Sequence, residues 1–300
     1  MIDNRYSIQF TATKEGLLRE ALSNFGISKK GLTAIKHRGG QILVNDIEKT
    51  VRNPLVVGDV VTVYFPLEET SEQITPCATP LEIIYEDDEL LVVDKPDFLA
   101  TIPSYLHQQD SVASRIVHYF STKNIQSTVH IVNRLDRDTS GLMCVAKHSY
   151  IHYLMSEMQK KHLIHREYEA FVHGNIEQEA DEIIAPIARK GDSIIERMVA
   201  PEGQYAHTEF RVLDRFMLDG KPVTHIRLKL HTGRTHQIRV HMASIGHPLV
   251  GDELYGGDPT FINRQALHCV FLSTKHPISG QQMTWEIPLP DTFYKLKGES

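Results

Sequence analysis

A short, densely charged segment between two apolar runs is the feature that most constrains the fold of this chain. Two carboxylates and two guanidinium groups fall within residues 134–138, between the apolar runs 129–132 and 142–146. This pattern predicts two short buried strands. Residues 138–141, Asp-Thr-Ser-Gly, predict a tight turn, because an Asp side chain can bond its own backbone and Gly permits unusual dihedral angles. A turn between strands holds its side chains rigidly, so Asp136 should point at a fixed position.

The same segment carries a recognisable motif. Residues 133–142 read Asn-Arg-Leu-Asp-Arg-Asp-Thr-Ser-Gly-Leu, which resembles the catalytic motif of the RluA/RluD-type pseudouridine synthases, His-Arg-Leu-Asp-x-x-Thr-Ser-Gly-Leu. The resemblance implies that Asp136 is the catalytic nucleophile. Asn133 departs from the usual His, outside the Arg-Leu-Asp core of the motif. The alternative is a salt-bridged turn carboxylate, which is the commoner fate of an Asp beside an Arg.

A second motif lies about one hundred residues later in the chain. Residues 232–241 read Thr-Gly-Arg-Thr-His-Gln-Ile-Arg-Val-His and are similar to the third motif of the same family, with 246–252 following as the family has it. The resemblance implies that Arg239 forms an ion pair with Asp136. An opposite charge would hold the Asp136 carboxylate ionised, and a guanidinium offers a bidentate fork that fixes its orientation.

The second motif also predicts a helix. Thr235 can cap it, with Ile238, Met242 and Ile245 facing inward and Gly246 near its end. The histidines of this segment recur every five residues, a step of about 140° on a helix, so they do not converge on one metal ion. We therefore expect no metal site here, and no cofactor, because no nucleotide-binding or metal-ligand signature is found.

A tyrosine in an alternating segment is the next candidate. Residues 166–174 alternate like a strand and place Tyr168 on an apolar face. The resemblance implies that Tyr168 stacks on the target base, worth about 1–3 kcal/mol, with its hydroxyl placed for proton transfer. Core packing is the alternative. The resemblance further implies that Leu267 forms a pocket wall and that Arg134 fills the gap left by a flipped base or braces the loop.

The N-terminal residues resemble a different family. Predicted helices at 17–25 and 30–36, followed by predicted strands at 41–45 and 59–65, are similar to the S-four-like RNA-binding domain, named after a ribosomal protein. In that family the second helix and the following loop face RNA. The corresponding basic residues here are Lys29, Lys30, Lys36 and Arg38. The alternative is a merely solvated basic face.

The charge distribution bears on a nucleic-acid partner. A net charge of −6 argues against one, since phosphate binding draws on a positive field, but local patches decide. Residues 224–241 carry basic side chains and no acid. We therefore predict that Arg227, Lys229 and Arg234 form a basic edge that grips backbone phosphates.

Composition sets the domain organisation. With 300 residues, 41% of them hydrophobic, the chain can form one large domain and a small one. The proline-containing segment 66–80 predicts a linker, which divides an RNA-binding domain at 1–75 from a catalytic domain at 76–300. The resemblance implies an α+β fold: a mixed, mainly antiparallel sheet with flanking helices, and a small N-terminal α/β domain.

Other classes of protein are disfavoured. No apolar run approaches the ~20 residues of a membrane span, and the N-terminus lacks the pattern of a secretory signal. Three cysteines without close spacing favour reduced thiols in a cytoplasm over disulfides or a zinc site. We expect a cytoplasmic monomer.

The implied reaction isomerises a uridine in RNA to pseudouridine. Asp136 could attack the anomeric carbon or act as a base toward a ribose proton, and the sequence leaves both roles open. Three rival functions remain: an RNA-binding ribosome-assembly factor without activity, an N-glycosidase that releases uracil, and a synthase acting on tRNA. The N-terminal domain favours large-subunit rRNA as the substrate.

Overall fold

The N-terminal part of the chain forms a small antiparallel sheet with two helices. The structure is a computed structural model that describes residues 5–69, 74–103 and 109–298. The small sheet has the strand order β1-β6-β3-β4. The elements are β1 (Ser7–Thr11), β2 (Gly16–Leu17), α1 (Leu18–Asn24), α2 (Lys29–His37), β3 (Gln41–Val44), β4 (Ile47–Glu48), β5 (Pro54–Leu55) and β6 (Val60–Tyr64). Helices therefore lie at both positions that the sequence predicted.

The remaining strands build a large sheet of ten strands, apart from 187–189 and 197–199, which pair in a separate two-stranded sheet. The first of these elements are β7 (Glu82–Glu86), β8 (Leu90–Lys95), α3 (Val112–Thr122), β9 (His130–Ile131), β10 (Ser140–Ala146), α4 (Ser149–Lys160), β11 (His165–His173) and β12 (Ala180–Ile184). The others are β13 (Ile187–Arg189), β14 (Arg197–Val199), β15 (His207–Leu218), β16 (Lys221–Leu230), α5 (Gln237–Ser244), β17 (Leu267–Lys275), β18 (Gln282–Glu286) and α6 (Asp291–Lys297). A short 3-10 helix spans Glu253–Tyr255.

The strand order of the large sheet places the sequence motifs side by side. The order is β12-β15-β16-β11-β17-β10-β8-β7, with β18 on β17 and β9 on β10. Among the paired strands described, β10 and β17 run parallel and the others antiparallel. All seven residues of β10 are buried, as expected for a strand covered on both faces. The α+β class with a mixed, mainly antiparallel sheet is confirmed. Strands β11, β17 and β10, which carry Tyr168, Leu267 and the end of the first motif, are adjacent at the centre of the sheet.

Two neighbouring residues, Asp110 and Ser111, could each cap α3. Ser111 is the cap, and its hydroxyl accepts a hydrogen bond from the Ser114 N–H at 3.0 Å. Asp110 pairs with Arg115 at 2.8 Å instead. Both residue types cap helices well, so spacing alone did not distinguish them. No helix in the described ranges has the length and apolar character that crossing a membrane requires.

The two sheets are joined by aromatic contacts. Tyr6 stacks on His148, with ring centroids 4.0 Å apart, and Phe65 stacks on Tyr150 at 4.5 Å. The Tyr150 hydroxyl donates to the Phe25 carbonyl at 2.9 Å. The predicted boundary near residue 75 falls between the last strand of the small sheet and the first strand of the large one. The division into two domains stays a prediction, because these contacts join the two sheets.

Glu68 anchors the predicted linker. Its carboxylate accepts a hydrogen bond from the Ser149 N–H at 2.6 Å and lies 2.6 Å from His130 Nε2. Ser149 is the first residue of α4, after His148. Burial opposes ionisation of Glu68, but the bonds from His130 and Ser149 outweigh it and lower the pKa to about 2.

We expect Glu68→Gln to lower the free energy of unfolding at pH 7 by about 1–3 kcal/mol, because bonds to a charged acceptor are lost. The folded pKa of Glu68 lies below its ordinary value of 4.5, so this contribution is present above that value and is lost as the pH falls toward 2. Urea unfolding at pH 7 and pH 3 measures both effects. Glu69→Gln, at the exposed neighbouring residue, removes the same charge. Equal unfolding energies for the two variants at pH 7 would contradict the anchor.

Candidate active site

Asp136 begins a turn that directly precedes the central strand β10. The Thr139 N–H donates to the Asp136 carbonyl at 3.1 Å, so the turn spans 136–139, two residues earlier than predicted. Ser140 and Gly141 already belong to β10. Gly141 has φ +113°, and a Cβ there would lie 2.4 Å from the Cys269 carbonyl oxygen. This glycine therefore serves the close approach of β17 and not the turn.

The buried side chain of Lys95 contacts the backbone of this turn. Lys95 is fully buried, and its ammonium donates to the carbonyls of Pro96, Leu99 and Arg137. Burial lowers the pKa of Lys95 to about 7, against the opposing charges of nearby carboxylates. Phe98 takes the left-handed conformation with φ +55°. The loop thus follows a path that ordinarily favours glycine.

Asn133 replaces the histidine usual in the family motif and is a structural bridge. Its side-chain oxygen accepts from the Cys144 N–H at 2.8 Å, and its amide donates to the Leu142 carbonyl at 3.3 Å. Asn133 is buried. It therefore ties the segment before Asp136 to strand β10.

Arg239 lies between two carboxylates. Its Nη1 is 3.4 Å from Asp136 Oδ2, so the ion pair expected from the sequence is present. The bidentate fork, however, binds Asp252: Nε donates to Oδ2 at 2.7 Å and Nη2 to Oδ1 at 2.8 Å. The expectation that the fork grips Asp136 was wrong, because Asp252 lies closer and is more deeply buried. Burial would lower the pKa of Arg239, but Asp252 and then Asp136 raise it.

His236 is a site residue that the sequence analysis considered only as a metal ligand. Its Nε2 lies 3.8 Å from Asp136 Oδ2, and its Nδ1 lies 2.9 Å from the Tyr255 hydroxyl. That hydroxyl also accepts the Arg197 N–H, so Tyr255 fixes one ring nitrogen of His236 while the other faces Asp136. Burial lowers the pKa of His236. The available signal was its position three residues before Arg239, within the same motif.

The start of α5 also differs from the prediction. The helix begins at Gln237 after His236, which has φ +56°, and not after Thr235. Ile238 and Met242 are buried as expected, but Ile245 is 41% exposed. It follows the last helical residue, so the inward-facing periodicity no longer applies to it.

The predicted site residues of the catalytic segment line one pocket. This pocket has a volume of about 280 Å³, and Asp136 is exposed within it by 30% of its side chain. Tyr168 and Leu267 are buried walls of it. The lining includes Arg134, Asp136, Tyr168, Arg234, Arg239 and Leu267. Lys29, Lys30, Lys36 and Arg38 are exposed on or just after α2 and are not among the lining residues.

Tyr168 keeps its proton in the free protein. Burial is the main cause that raises the pKa of its phenol well above the ordinary value, with further contributions from Cys269 and Asp136. In the sheet, Tyr168 lies opposite Cys269. Its hydroxyl can therefore donate a hydrogen bond. To act as a base, it would first have to give the phenol proton to another group.

The predicted basic edge is largely neutralised. Arg227 pairs with Glu167 and with Glu286, and Lys229 lies 3.5 Å from Glu209. The segment 224–241 contains no acid, but antiparallel neighbours supply acids across the sheet. These acids reduce the positive potential at Arg227 and Lys229, so they disfavour the predicted phosphate contact. Arg234 remains in the pocket, where its Nε donates to the Tyr205 carbonyl.

Two clusters have side chains that could hold a metal ion, and neither lines the pocket of Asp136. In the first, His231 lies 2.7 Å from Glu209; in the second, His276 lies 3.1 Å from Asp87. These contacts already satisfy the imidazoles within the protein. The clusters are His207, Glu209 and His231, and Asp87, Glu89 and His276.

Known proteins resemble the chain over the site and well beyond it. The family model described as RNA pseudouridylate synthase matches residues 89–244, which include both motifs. "Uncharacterized RNA pseudouridine synthase YjbO" of Bacillus subtilis is 46% identical over 284 residues, which cover 94% of this chain and 99% of that protein. "Ribosomal large subunit pseudouridine synthase D" of Pseudomonas aeruginosa is 41% identical over 230 residues, covering 72% and 70%.

A solved structure agrees with these relatives. "Human RNA Pseudouridylate Synthase Domain Containing 1" is 26% identical, has a TM-score of 0.59, and covers 71% of this chain and 84% of its own. The family model covers the turn of Asp136 and the helix of Arg239. The chain therefore belongs to the RNA pseudouridylate synthase family, as an isomerase of the RluA type that acts on RNA.

Proposed function

We propose that this enzyme isomerises specific uridines of large-subunit rRNA, with Asp136 as the nucleophile. The observation that carries the proposal is the Asp136 carboxylate in the pocket, 3.4 Å from the Arg239 guanidinium and beside Tyr168 and Leu267. Relatives at 37–41% identity named for the ribosomal large subunit support the choice of substrate.

The proposed reaction is an intramolecular exchange of bonds. The bond between ribose C1′ and uracil N1 breaks, the base turns, and a bond forms between C1′ and C5. The C5 proton leaves and N1 gains a proton, so no oxidant or donor is consumed. Asp136 attacks C1′, as glycosidase carboxylates do. The alternative role, removal of a ribose proton, uses the same carboxylate position.

The neighbouring residues hold the base. Duplex RNA hides its base atoms, so the target uridine must be unpaired or flipped into the pocket. Tyr168 then stacks on the uracil and Leu267 forms the opposite wall. Arg134 is exposed at this pocket, where it can fill the gap that the flipped base leaves in the stack.

Product analysis tests this function against its rivals. Purified enzyme is incubated with large-subunit rRNA transcripts and with tRNA transcripts that carry tritium at uracil C5. Tritium release with pseudouridine in the rRNA digest is expected. Free uracil would indicate an N-glycosidase, and product in tRNA alone would indicate the other substrate. Binding without product from either RNA would favour an RNA-binding assembly factor. Mapping pseudouridines in a deletion strain identifies the target site.

We further propose that residues 1–75 form an S-four-like RNA-binding domain and residues 76–300 the catalytic domain of a cytoplasmic monomer. The exposed cations of α2 and the residue that follows it support this proposal, because clustered basic residues are the electrostatic footprint of phosphate binding. In the described residues, no ion pair involves Lys29, Lys30, Lys36 or Arg38.

Neutralising this basic helix should weaken RNA binding. Substitution is preferable to deletion of the domain, which would expose Tyr150 and its neighbours. Changing the four cations to Gln should make the dependence of log Kd on log salt shallower by up to about 3, at ~0.7–0.9 for each lost phosphate contact. The control changes four exposed lysines elsewhere: Lys123, Lys221, Lys275 and Lys295. Equal slopes for both variants would show that the helix is solvated surface.

A further inference from the structure

Arg166 is a buried guanidinium without an acceptor. Its side chain lines the pocket of Asp136, the residue is only 7% exposed, and its Nε is buried with no hydrogen-bond partner. Within the part of the chain that the structure describes, the Arg166 side chain forms no ion pair or hydrogen bond, although its backbone pairs with Leu272 in the sheet. The ionisable side chains that interact with it electrostatically are Tyr168 and Cys269, and both are uncharged because burial raises their pKa.

This isolation distinguishes Arg166 from the other buried arginines. The structure describes three of them. Arg239 is paired with Asp252 and Asp136, and Arg264 is paired with Asp97 at 2.9 Å. A guanidinium does not lose its proton in proteins, and a buried charge without a partner is costly. A charge held in this way in the free protein indicates that its partner arrives with a ligand.

The charges around Arg166 indicate an anionic ligand. The pocket lining also contains Arg134 and Arg234, while Asp136 is its acid among the described residues and already faces Arg239. A phosphodiester compensates a buried cation better than a neutral uracil carbonyl does, and two of its oxygens match the guanidinium fork.

Gly233 keeps the guanidinium accessible. A Cβ at this position would lie 3.4 Å from Arg166 Nη2 and 3.5 Å from Nη1, in ordinary contact with both terminal nitrogens. Gly233 also lines the pocket. The missing side chain therefore leaves these nitrogens open on one side.

We propose that Arg166 binds a backbone phosphate of the RNA strand that enters the pocket. This inference deepens the proposed function and rests on it, since it names the group that holds the strand while the base reacts. Its role is binding and positioning, because it adds no group to the bond exchange.

The first test compares Arg166→Met with the wild type in binding a short single-stranded oligouridylate across a salt series. Affinity should fall about ten- to hundred-fold, as for a lost charge-assisted bond, and the salt slope should become shallower by ~0.7. With the methylphosphonate oligouridylate, whose backbone is uncharged, the two proteins should bind equally. Lys275→Met is the control, roughly 26 Å from Leu267 along β17 at ~3.3 Å per residue, and should change neither result.

Each other result would overturn the proposal. An affinity loss that persists on the uncharged backbone would place the guanidinium on the uracil, and unchanged affinity would remove it from the strand. Arg166→Met should also not lower the midpoint of thermal unfolding, since no bond is lost in the free protein. A lower midpoint, or failure to fold, would make Arg166 structural. Arg166→Lys keeps the cation and should fold and retain the wild-type salt slope; a shallower slope would contradict phosphate binding.

The binding measurements do not depend on turnover. A wild-type protein that binds oligouridylate through Arg166 but forms no pseudouridine in rRNA would refute the proposed function and leave the phosphate contact intact. Pseudouridine formation in rRNA together with an unaltered salt slope in Arg166→Met would support the proposed function and refute the phosphate contact.

Discussion

Asp136→Asn should fold and bind RNA as the wild type does, and should form pseudouridine at least about 10³-fold more slowly. The amide has the shape of the carboxylate and still offers an oxygen to Arg239 Nη1, so the turn at 136–139 should be retained. It lacks the charge that attack on C1′ or removal of a ribose proton requires. Release of tritium from C5 of uracil in RNA transcripts, under single-turnover conditions, measures the loss.

A neighbouring carboxylate provides the matched control for Asp136. Asp138 lies in the same turn, and its side chain pairs with Arg137 at 2.6 Å and does not line the pocket. Asp138→Asn removes the same charge two residues away and should keep most of the activity. Comparable rates for the two variants would show that Asp136 is a structural turn carboxylate, and normal turnover by Asp136→Asn would refute the nucleophile.

Arg239→Lys should lower kcat by about 10²–10³, the loss typical of removing one positioned donor from an active site. A lysine keeps the charge but has a single donor group, so it cannot bind both oxygens of Asp252 and reach Asp136 at the same time. The Asp136 carboxylate would then lose its fixed orientation, while the residues that contact the RNA backbone stay in place. We therefore expect kcat to fall much more than the affinity for RNA.

The same substitution outside the pocket tests whether the effect is local. Arg227 also pairs with carboxylates, those of Glu167, Glu169 and Glu286, and does not line the pocket. Arg227→Lys should leave kcat close to the wild-type value. If Arg239→Lys is equally active, the ion pair does not support catalysis. Thermal unfolding of both variants separates a loss of activity from a loss of fold.

The sequence contained much of the site because its chemistry lies in short contiguous motifs. The segments around Asp136 and Arg239 could be recognised by residue type and spacing, and Tyr168 and Leu267 by their settings. The structure places all four in one pocket. Secondary structure was predicted well for α2 and for the continuous apolar run of β10. It was less accurate at helix starts and at the turn of Asp136, where several capping or turn residues stand next to one another.

Pairing between distant residues was not predictable from the sequence. The acid-free segment 224–241 suggested a positive surface, yet the register of β16 with β11 and β15 brings glutamates against its cations. The guanidinium fork of Arg239 likewise binds Asp252 and not Asp136, because the fold places Asp252 closer to it. In both cases the closest opposite charge comes from another element of the fold.

The sequence by itself determined which reactive groups this protein has and that it carries the motifs of an RNA-modifying isomerase. Only the tertiary structure decided which charges are neutralised and which remain available: Arg227 is paired, and Arg166 is buried without an acceptor. The physical reason is that residue type fixes a side chain's charge and donors, whereas the cost of burying that charge depends on neighbours that sheet register brings from distant parts of the chain.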